Sequence, residues 1–292
     1  MCIRDSEKPI VEHGWAGNPA YENLLTFKNA DRVTIRGRGI LDCTLLPFQS
    51  KSPVVFFDCT NVEAEGIIIK DAAGWCIPQF YCKNVHMDNL KMICHRQNSD
   101  GINIVNTQDV VIERCFLRTN DDNICVKTYA NRQAAKNIRV KDCVIWNDRN
   151  FGIGITYETQ SDIADVLFTD CDMIHDFGVA SLVVYAADAG TISNIRFEKI
   201  RLEDTRSQLI KVWIGKDFFG KDAERGHIRG VSFTDIAVAG DFPPSELTGF
   251  DATHLIEDVS VKRLVVNGTA VTNAAGGKFN VNAHVRNLKV TP

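Results

Sequence analysis

The sequence predicts an all-β fold, a right-handed single-stranded parallel β-helix of about nine to ten coils. A small polar residue followed by Val or Ile recurs at Asn61-Val62, Asn84-Val85, Asp109-Val110, Asn137-Ile138, Asp165-Val166, Asn194-Ile195, Gly230-Val231 and Asp258-Val259, at intervals of 23, 25, 28, 28, 29, 36 and 28 residues. Counting the apolar member as zero, positions +0, +2, +5 and +7 are apolar, as in Val85, Met87, Leu90 and Met92 or Ile195, Phe197, Ile200 and Leu202. Two steps of two around a step of three describe a strand that bends and continues. A helix would need spacings of three and four over a longer window. A second alternating stretch follows the anchors, centred on Ile102, Ile124, Ile153, Leu182 and Ile210. One repeat cannot bury its apolar face alone, so the repeats must stack, with one strand from each coil in each sheet. The handedness follows from the general preference of parallel crossovers. The competing architectures, an antiparallel sandwich or a propeller, need hairpin turns between neighbours, and Asn267-Gly268 and Asp100-Gly101 are the main candidates for these.

In chain order, residues 1–26 form an irregular segment and residues 27–292 the β-helix domain. Val33-Thr34-Ile35 opens a degenerate rung, and 240–256, with Pro243-Pro244, reads as a loop excursion from one coil. Phe279 onward resumes alternation as a last, capping rung, expected because an open end of a β-helix is a sheet edge that invites association. Met1-Cys2-Ile3-Arg4-Asp5-Ser6 has neither the apolar segment nor the cleavage pattern of a signal peptide, so either export does not use that route or the natural N-terminus lies upstream.

A formal net charge of -4 argues against nucleic acid or an anionic membrane surface as a partner, and there is no apolar run long enough to span a bilayer. The ten cysteines suggest a disulfide framework at first. However, Cys115, Cys143 and Cys171 all take the +5 slot that Leu90 and Ile200 fill elsewhere, and Cys59 and Cys82 share a slot two residues before their anchors. They read as small apolar core residues. With no C-x-x-C pair, and Cys94-His95 the closest approach to a zinc spacing, no metal and no cofactor are expected.

Two acidic knots stand 22 residues apart, Asn98-Ser99-Asp100-Gly101 and Asn120-Asp121-Asp122-Asn123, each followed at once by an alternating strand. If those strands stack, the carboxylates at their entrances lie roughly 4.8 Å apart at the backbone. Clustered like charge costs free energy, and a raised carboxyl pKa is one use for it. Asp100, Asp121 and Asp122 are therefore the candidate catalytic residues.

These motifs carry a family resemblance. Gly37-Arg38-Gly39-Ile40-Leu41-Asp42, Asn98-Ser99-Asp100 and Asn120-Asp121-Asp122 resemble the early turn, the N-T-D and the G-D-D of glycoside hydrolase family 28, the polygalacturonase family. The inverting family 49, the dextranases and isopullulanases, shares the fold and the aspartate trio and is the second choice. The resemblance implies inverting hydrolysis of an O-glycosidic bond in a polysaccharide or oligosaccharide without metal. By the same carry-over Asp121 is the general acid, while Asp100 and Asp122 activate water. Two departures stand out. Phe151 takes the place of the histidine in the family's G-H-G, and Ala180-Ser181-Leu182 stands where it has R-I-K. Those cations are expected to hold a galacturonate carboxylate, so unsubstituted polygalacturonate is not the expected substrate.

For substrate binding, Lys127, Tyr157, His95, Arg96, Arg149, Tyr185 and Lys211 are the main candidates, with Tyr129, Glu158 and Trp213 beside them, because rings stack on sugar faces and charged groups direct hydrogen bonds, while Trp75 reads as a core or rim residue. Lys127 and Tyr157 lead, since they end the strands that begin at the acids and at Phe151. A polysaccharide lyase of the same fold and a non-catalytic glycan-binding module are the other classes in play. By the resemblance, an extracellular or periplasmic location is expected.

Overall fold

The structure is a computed structural model that describes residues 23–47 and 52–292. Most of the predicted irregular segment 1–26 lies outside the described residues; the first strand, Leu25–Lys28, overlaps its last two positions. The chain winds as a right-handed parallel β-helix, and no described residue lies in an α-helix. One sheet takes one strand from each coil: Leu25–Lys28, Val54–Phe57, Gln79–Phe80, Ile102–Val105, Ile124–Thr128, Phe151–Thr159, Ala180–Ala186, Gln208–Ile214, Ser245–Thr248 and Phe279–Val281. Every neighbouring pair in it is parallel. The remaining strands form the other walls.

The anchors explain the winding. Asn61, Asn84, Asp109, Asn137, Asp165, Asn194, Gly230 and Asp258 all have φ between 53° and 67°. This left-handed region strongly favours Gly, Asn and Asp. The apolar partner of each, Val62 through Val259, then points into the core, where all eight are at most 2% exposed. A second left-handed residue sits just before the +5 slot, as at Asn89, Arg114, Asp142, Asp170 and Lys199, and it makes the predicted bend. Arg32 and Asn287, at φ 57° each, extend the same device to both ends, so the degenerate rung at Val33 is a full one, with Asp31–Arg36 paired to Thr60–Glu65. The outer edge of the anchor turns is tied between coils, for instance by Asn137 Nδ2 donating to Asp109 Oδ1 at 2.8 Å.

The core is a continuous column of stacked side chains. Phe168, Phe197 and Phe233 lie ring on ring at 5.0 Å each. Cys115, Cys143 and Cys171 are buried in the same wall, and the nine described cysteines are all buried free thiols. One expectation needs correcting. The excursion predicted for 240–256 contains Ser245–Thr248, which pairs in parallel with Lys211–Trp213 and so belongs to the sheet; Pro243-Pro244 only delays its start. Asn267-Gly268 does make a hairpin, joining Val265-Val266 antiparallel to Thr269-Ala270. The last rung forms as expected, Phe279–Val281 stacking on Ser245–Leu247.

Candidate active site

Strand alternation sorts the residues around the acids. In Ile124–Thr128, Ile124 and Val126 join the core, leaving Cys125 and Lys127 on the opposite, outward face. Ile102 pairs with Ile124, so Asp100 and Asp122, two residues earlier, stack in adjacent coils, with the Gly101 N–H donating to the Asp122 carbonyl at 2.8 Å. The acids sit on the turns entering those strands. A buried polar chain holds the second turn: Thr119 Oγ1 donates to Asn123 Oδ1, Asn123 Nδ2 to Asn147 Oδ1, and Asn147 Nδ2 to Asp176 Oδ1, at 3.0, 3.3 and 2.8 Å.

The next coil carries the irregularity that completes the site. Val126 faces Ile155 and Thr128 faces Thr159, so the single residue Lys127 is opposed by Thr156, Tyr157 and Glu158. Such a bulge re-aims side chains. Tyr157, at φ 48°, is a bulky residue in the left-handed region, the strained geometry expected where function over-determines the backbone. Thr156 Oγ1 donates to Asp122 Oδ2 at 3.0 Å, and the Glu158 carboxylate turns to Lys127. Beneath the bulge, Gly154 has no substitute, because a Cβ there would lie 1.9 Å from the Val183 carbonyl oxygen.

The result is an open cleft with Asp100, Asp121 and Asp122 at its centre, bordered by Trp75, Asn98, Lys127, Asn150, Tyr157, Glu158 and Phe219. Asp100 and Asp122 are buried, at 2% and 1% exposure, while Asp121 is only partly so. Asp121 Oδ1 accepts from Asn150 Nδ2 at 2.6 Å and from the Asp122 N–H at 3.0 Å. The Lys127 ammonium lies 3.6 Å from Asp100, 3.5 Å from Asp122 and 3.6 Å from Glu158, and 4.5 Å from the Trp75 ring centre. Burial, followed by the Asp121 charge, holds the Asp100 carboxyl well above the usual carboxylate range. Burial likewise pushes Asp122 up to about 6, against the pull of Lys127. For Lys127 burial disfavours the charge, but Glu158 and then the other anionic groups outweigh it and hold its pKa above the usual lysine value. The cluster therefore retains an ammonium and a readily held proton, the inventory of acid and base chemistry.

Asp100, Asp122 and Cys125 place three possible metal donors within 4.8 Å of one another. The Lys127 ammonium already stands against both carboxylates, and burial keeps the Cys125 thiol protonated, its S–H donating to Asn103 Oδ1 at 2.9 Å. The donor chemistry is that of a carboxylate–ammonium cluster rather than of a metal centre.

Of the other sequence candidates, Tyr157 and Glu158 border the cleft, as does Trp75, read from the sequence as a core or rim residue, whereas His95, Arg96, Arg149, Tyr185, Lys211, Tyr129 and Trp213 do not. His95 is exposed and pairs with Asp71 at 2.6 Å. Arg96 donates to the Cys43 and Leu46 carbonyls, tying a loop of an earlier coil. Arg149 is exposed. Tyr185 lies behind Tyr157, stacked on Trp213 at 4.3 Å with its hydroxyl donating to Asp217. Lys211 pairs with Glu246 at 3.3 Å, on the strand after Tyr185. At the departures from the family pattern, Phe151 packs on Tyr157 at 5.3 Å, and Ser181 turns inward to donate to Asp176. Asn98, quoted only as part of the first acidic motif, and Asn150, Thr156 and Phe219 were not proposed as site residues from the sequence. Phe219 had a signal, the 36-residue interval between Asn194 and Gly230, which marks an insertion long enough to reach the cleft.

Fold and site together define a parallel β-helix with an aspartate cluster in an open cleft on one sheet. A family model, Glycosyl hydrolases family 28, matches residues 15–241, and the chain belongs to that family. Of the two families weighed on the aspartate motifs, the model matched is thus family 28 rather than family 49. A polygalacturonase of Gossypium barbadense is 24% identical over 206 residues, 64% of this chain and 49% of that protein. The chain spans about half the length of such curated relatives. Among solved structures, an exopolygalacturonase from Thermotoga maritima superposes with a TM-score of 0.74 at 16% identity, covering 93% of this chain and 72% of that one. An endo-xylogalacturonan hydrolase from Aspergillus tubingensis does so with 0.61 at 15%, covering 92% and 79%. At these identities the two structures attest the fold.

Proposed function

We propose that the chain is a glycosidase that cleaves a pectin-type polysaccharide with inversion, Asp121 acting as general acid and Asp100 with Asp122 activating the water. The observation that carries this reading is the convergence of the three aspartates in one cleft. Asp121, the most exposed of them, is free to reach a glycosidic oxygen, while Asp100 and Asp122 lie deeper. In an inverting reaction one carboxyl protonates the leaving oxygen and another draws a proton from water on the opposite side of the sugar. Lys127 does not suit the lyase alternative, since a group held above the usual lysine pKa is a poor base.

The same reading assigns the substrate an uncharged or decorated sugar beside Phe151. Lys127 is the one cation among the described cleft residues, and three carboxylates already surround it. A free galacturonate carboxylate would meet net negative charge there and an aromatic ring where the family pattern has histidine. As for polysaccharide hydrolases of this kind, we place its action outside the cytoplasm.

The test is reducing-sugar release by the chain and its Asp121→Asn variant over polygalacturonate, methyl-esterified pectin, xylogalacturonan and neutral pectic side chains, with the anomer of the product read by NMR. The decorated or neutral glycans should be cut, with turnover by the variant lower by ~10²–10⁴-fold and binding retained. Undiminished turnover by the variant would remove the acid role. Fastest release from unsubstituted polygalacturonate would overturn the substrate assignment, and a retained anomer the inversion.

A further inference from the structure

We infer that Lys127, held in place by Glu158, is a positioning residue that ties Asp100 and Asp122 into one charged unit and orients them, without touching substrate. This inference rests on the hydrolase reading of the cleft. It differs from the sequence expectation that Lys127 binds sugar.

Three features of the geometry support it. The Lys127 side chain is 4% exposed, and its ammonium lies at nearly equal distances, 3.5 to 3.6 Å, from three carboxylates on three successive coils. One face is closed by the Trp75 ring at 4.5 Å, so little of the group is left to meet a ligand. Glu158, 6% exposed, is held there by the bulge, and its Oε2 atom has no hydrogen-bond partner, so Lys127 at 3.6 Å is its one counter-charge among the described groups. A buried carboxylate is costly unless paired, which fits a device that fixes the ammonium rather than an incidental contact.

The consequence is a linkage of opposite signs. The groups facing Lys127 are Asp100, Asp122, Glu158 and Cys125, with Asp121, Tyr129 and Tyr157 acting on the same cluster. Removing the ammonium leaves Asp100 and Asp122 repelled by each other and by Glu158, and they ionise at higher pH. Removing the Glu158 charge leaves the ammonium to the two aspartates alone, and they ionise at lower pH.

The test follows kcat and KM against pH for the wild type, Lys127→Met, Lys127→Arg and Glu158→Gln on a glycan the wild type cleaves. Lys127→Met should move the acid limb of kcat/KM up by about one pH unit and lower kcat, with KM within about twofold. Lys127→Arg should restore part of the limb, and Glu158→Gln should move it down. A structural role alone would not give opposite displacements. A tenfold rise in KM with an unmoved limb in Lys127→Met would make Lys127 a substrate contact and overturn the inference. Melting curves identify a variant that fails to fold; should Lys127→Met fail, Glu158→Gln carries the test, and an unmoved limb there overturns the inference. If the wild type cleaves nothing in the panel, the hydrolase reading fails separately. Carbon-13 titration of the aspartate carboxyls then decides, opposite shifts in the two variants supporting the tie and unchanged titrations refuting it.

Discussion

Asp122 shows how the site's chemistry is set against its stability. Its carboxyl ordinarily titrates at 3.8 and is pushed up to about 6 in the folded chain, first by burial. A carboxyl raised on folding binds its proton more tightly in the folded than in the unfolded chain. Between these two values stability therefore falls as pH rises, and above about 6 the ionised buried group is a net cost. Asp100, also held above the usual carboxylate range first by burial, acts in the same sense. We predict that Asp122→Asn abolishes turnover yet melts roughly 2–4 °C higher than the wild type at pH 7, the gap closing as pH drops toward 4. A variant that melts lower at pH 7 would show that the pairing with Lys127 outweighs burial. Activity should fall below about pH 6, where Asp122 takes up its proton. Phe151 belongs to this scale too: its ring packs on Tyr157 and Tyr185, so the position contributes apolar surface where the family pattern supplies an imidazole.

The repeating element is governed by backbone sterics more than by side-chain chemistry. Each anchor needs a left-handed residue, which costs an ordinary L-residue about 1–2 kcal/mol and Asn or Gly less. Asn194, exposed at φ 53° and donating to Asp165, isolates this term because it buries nothing. Asn194→Val should destabilise by ~1–3 kcal/mol, while Asn194→Gly stays within ~1 kcal/mol of the wild type, measured by urea denaturation. Equal losses would mean that the hydrogen bond, not φ, decides the position. The winding was legible in the sequence because this requirement repeats: Asn, Asp or Gly before a buried Val or Ile marks the eight turns from Asn61 to Asp258. The bulge at 156–158 was not legible, since Thr156-Tyr157-Glu158 carries no turn signal, and its shape is set by stacking between the strands at Ile124 and Ala180.

At the scale of the molecule, charge separates the possible substrates. The chain carries a formal net charge of -4, and the cleft is lined by four carboxylates, Asp100, Asp121, Asp122 and Glu158, against one ammonium. A polyanionic galacturonan approaches against that field, whereas a neutral or heavily decorated glycan does not. Polygalacturonate should therefore bind more tightly as salt rises from roughly 0.01 to 0.15 M, which shortens the screening length from about 30 to 8 Å. Affinity for a neutral glycan should stay flat over the same range, and calorimetric titration of the inactive Asp121→Asn variant reads both. Polygalacturonate binding that weakens with salt would point to cationic contacts and count against the substrate assignment.

The amino-acid sequence by itself determined the coil, the identity of the inward-facing residues and the stacking of Asp100 on Asp122, because these follow from period, left-handed turns and register, all local or repeated along the chain. Tertiary structure alone decided what surrounds the acids. Lys127 looked like a group for substrate, since one strand cannot reveal which charges the coils above and below bring to it. Asp100 comes from the coil before and Glu158 from the coil after, so the ammonium is claimed from both sides. His95, Arg96 and Lys211 were drawn off in the same way by Asp71, two loop carbonyls and Glu246, partners from neighbouring coils. In a solenoid the strand sets which face a side chain takes, and the adjacent coils decide what it meets there.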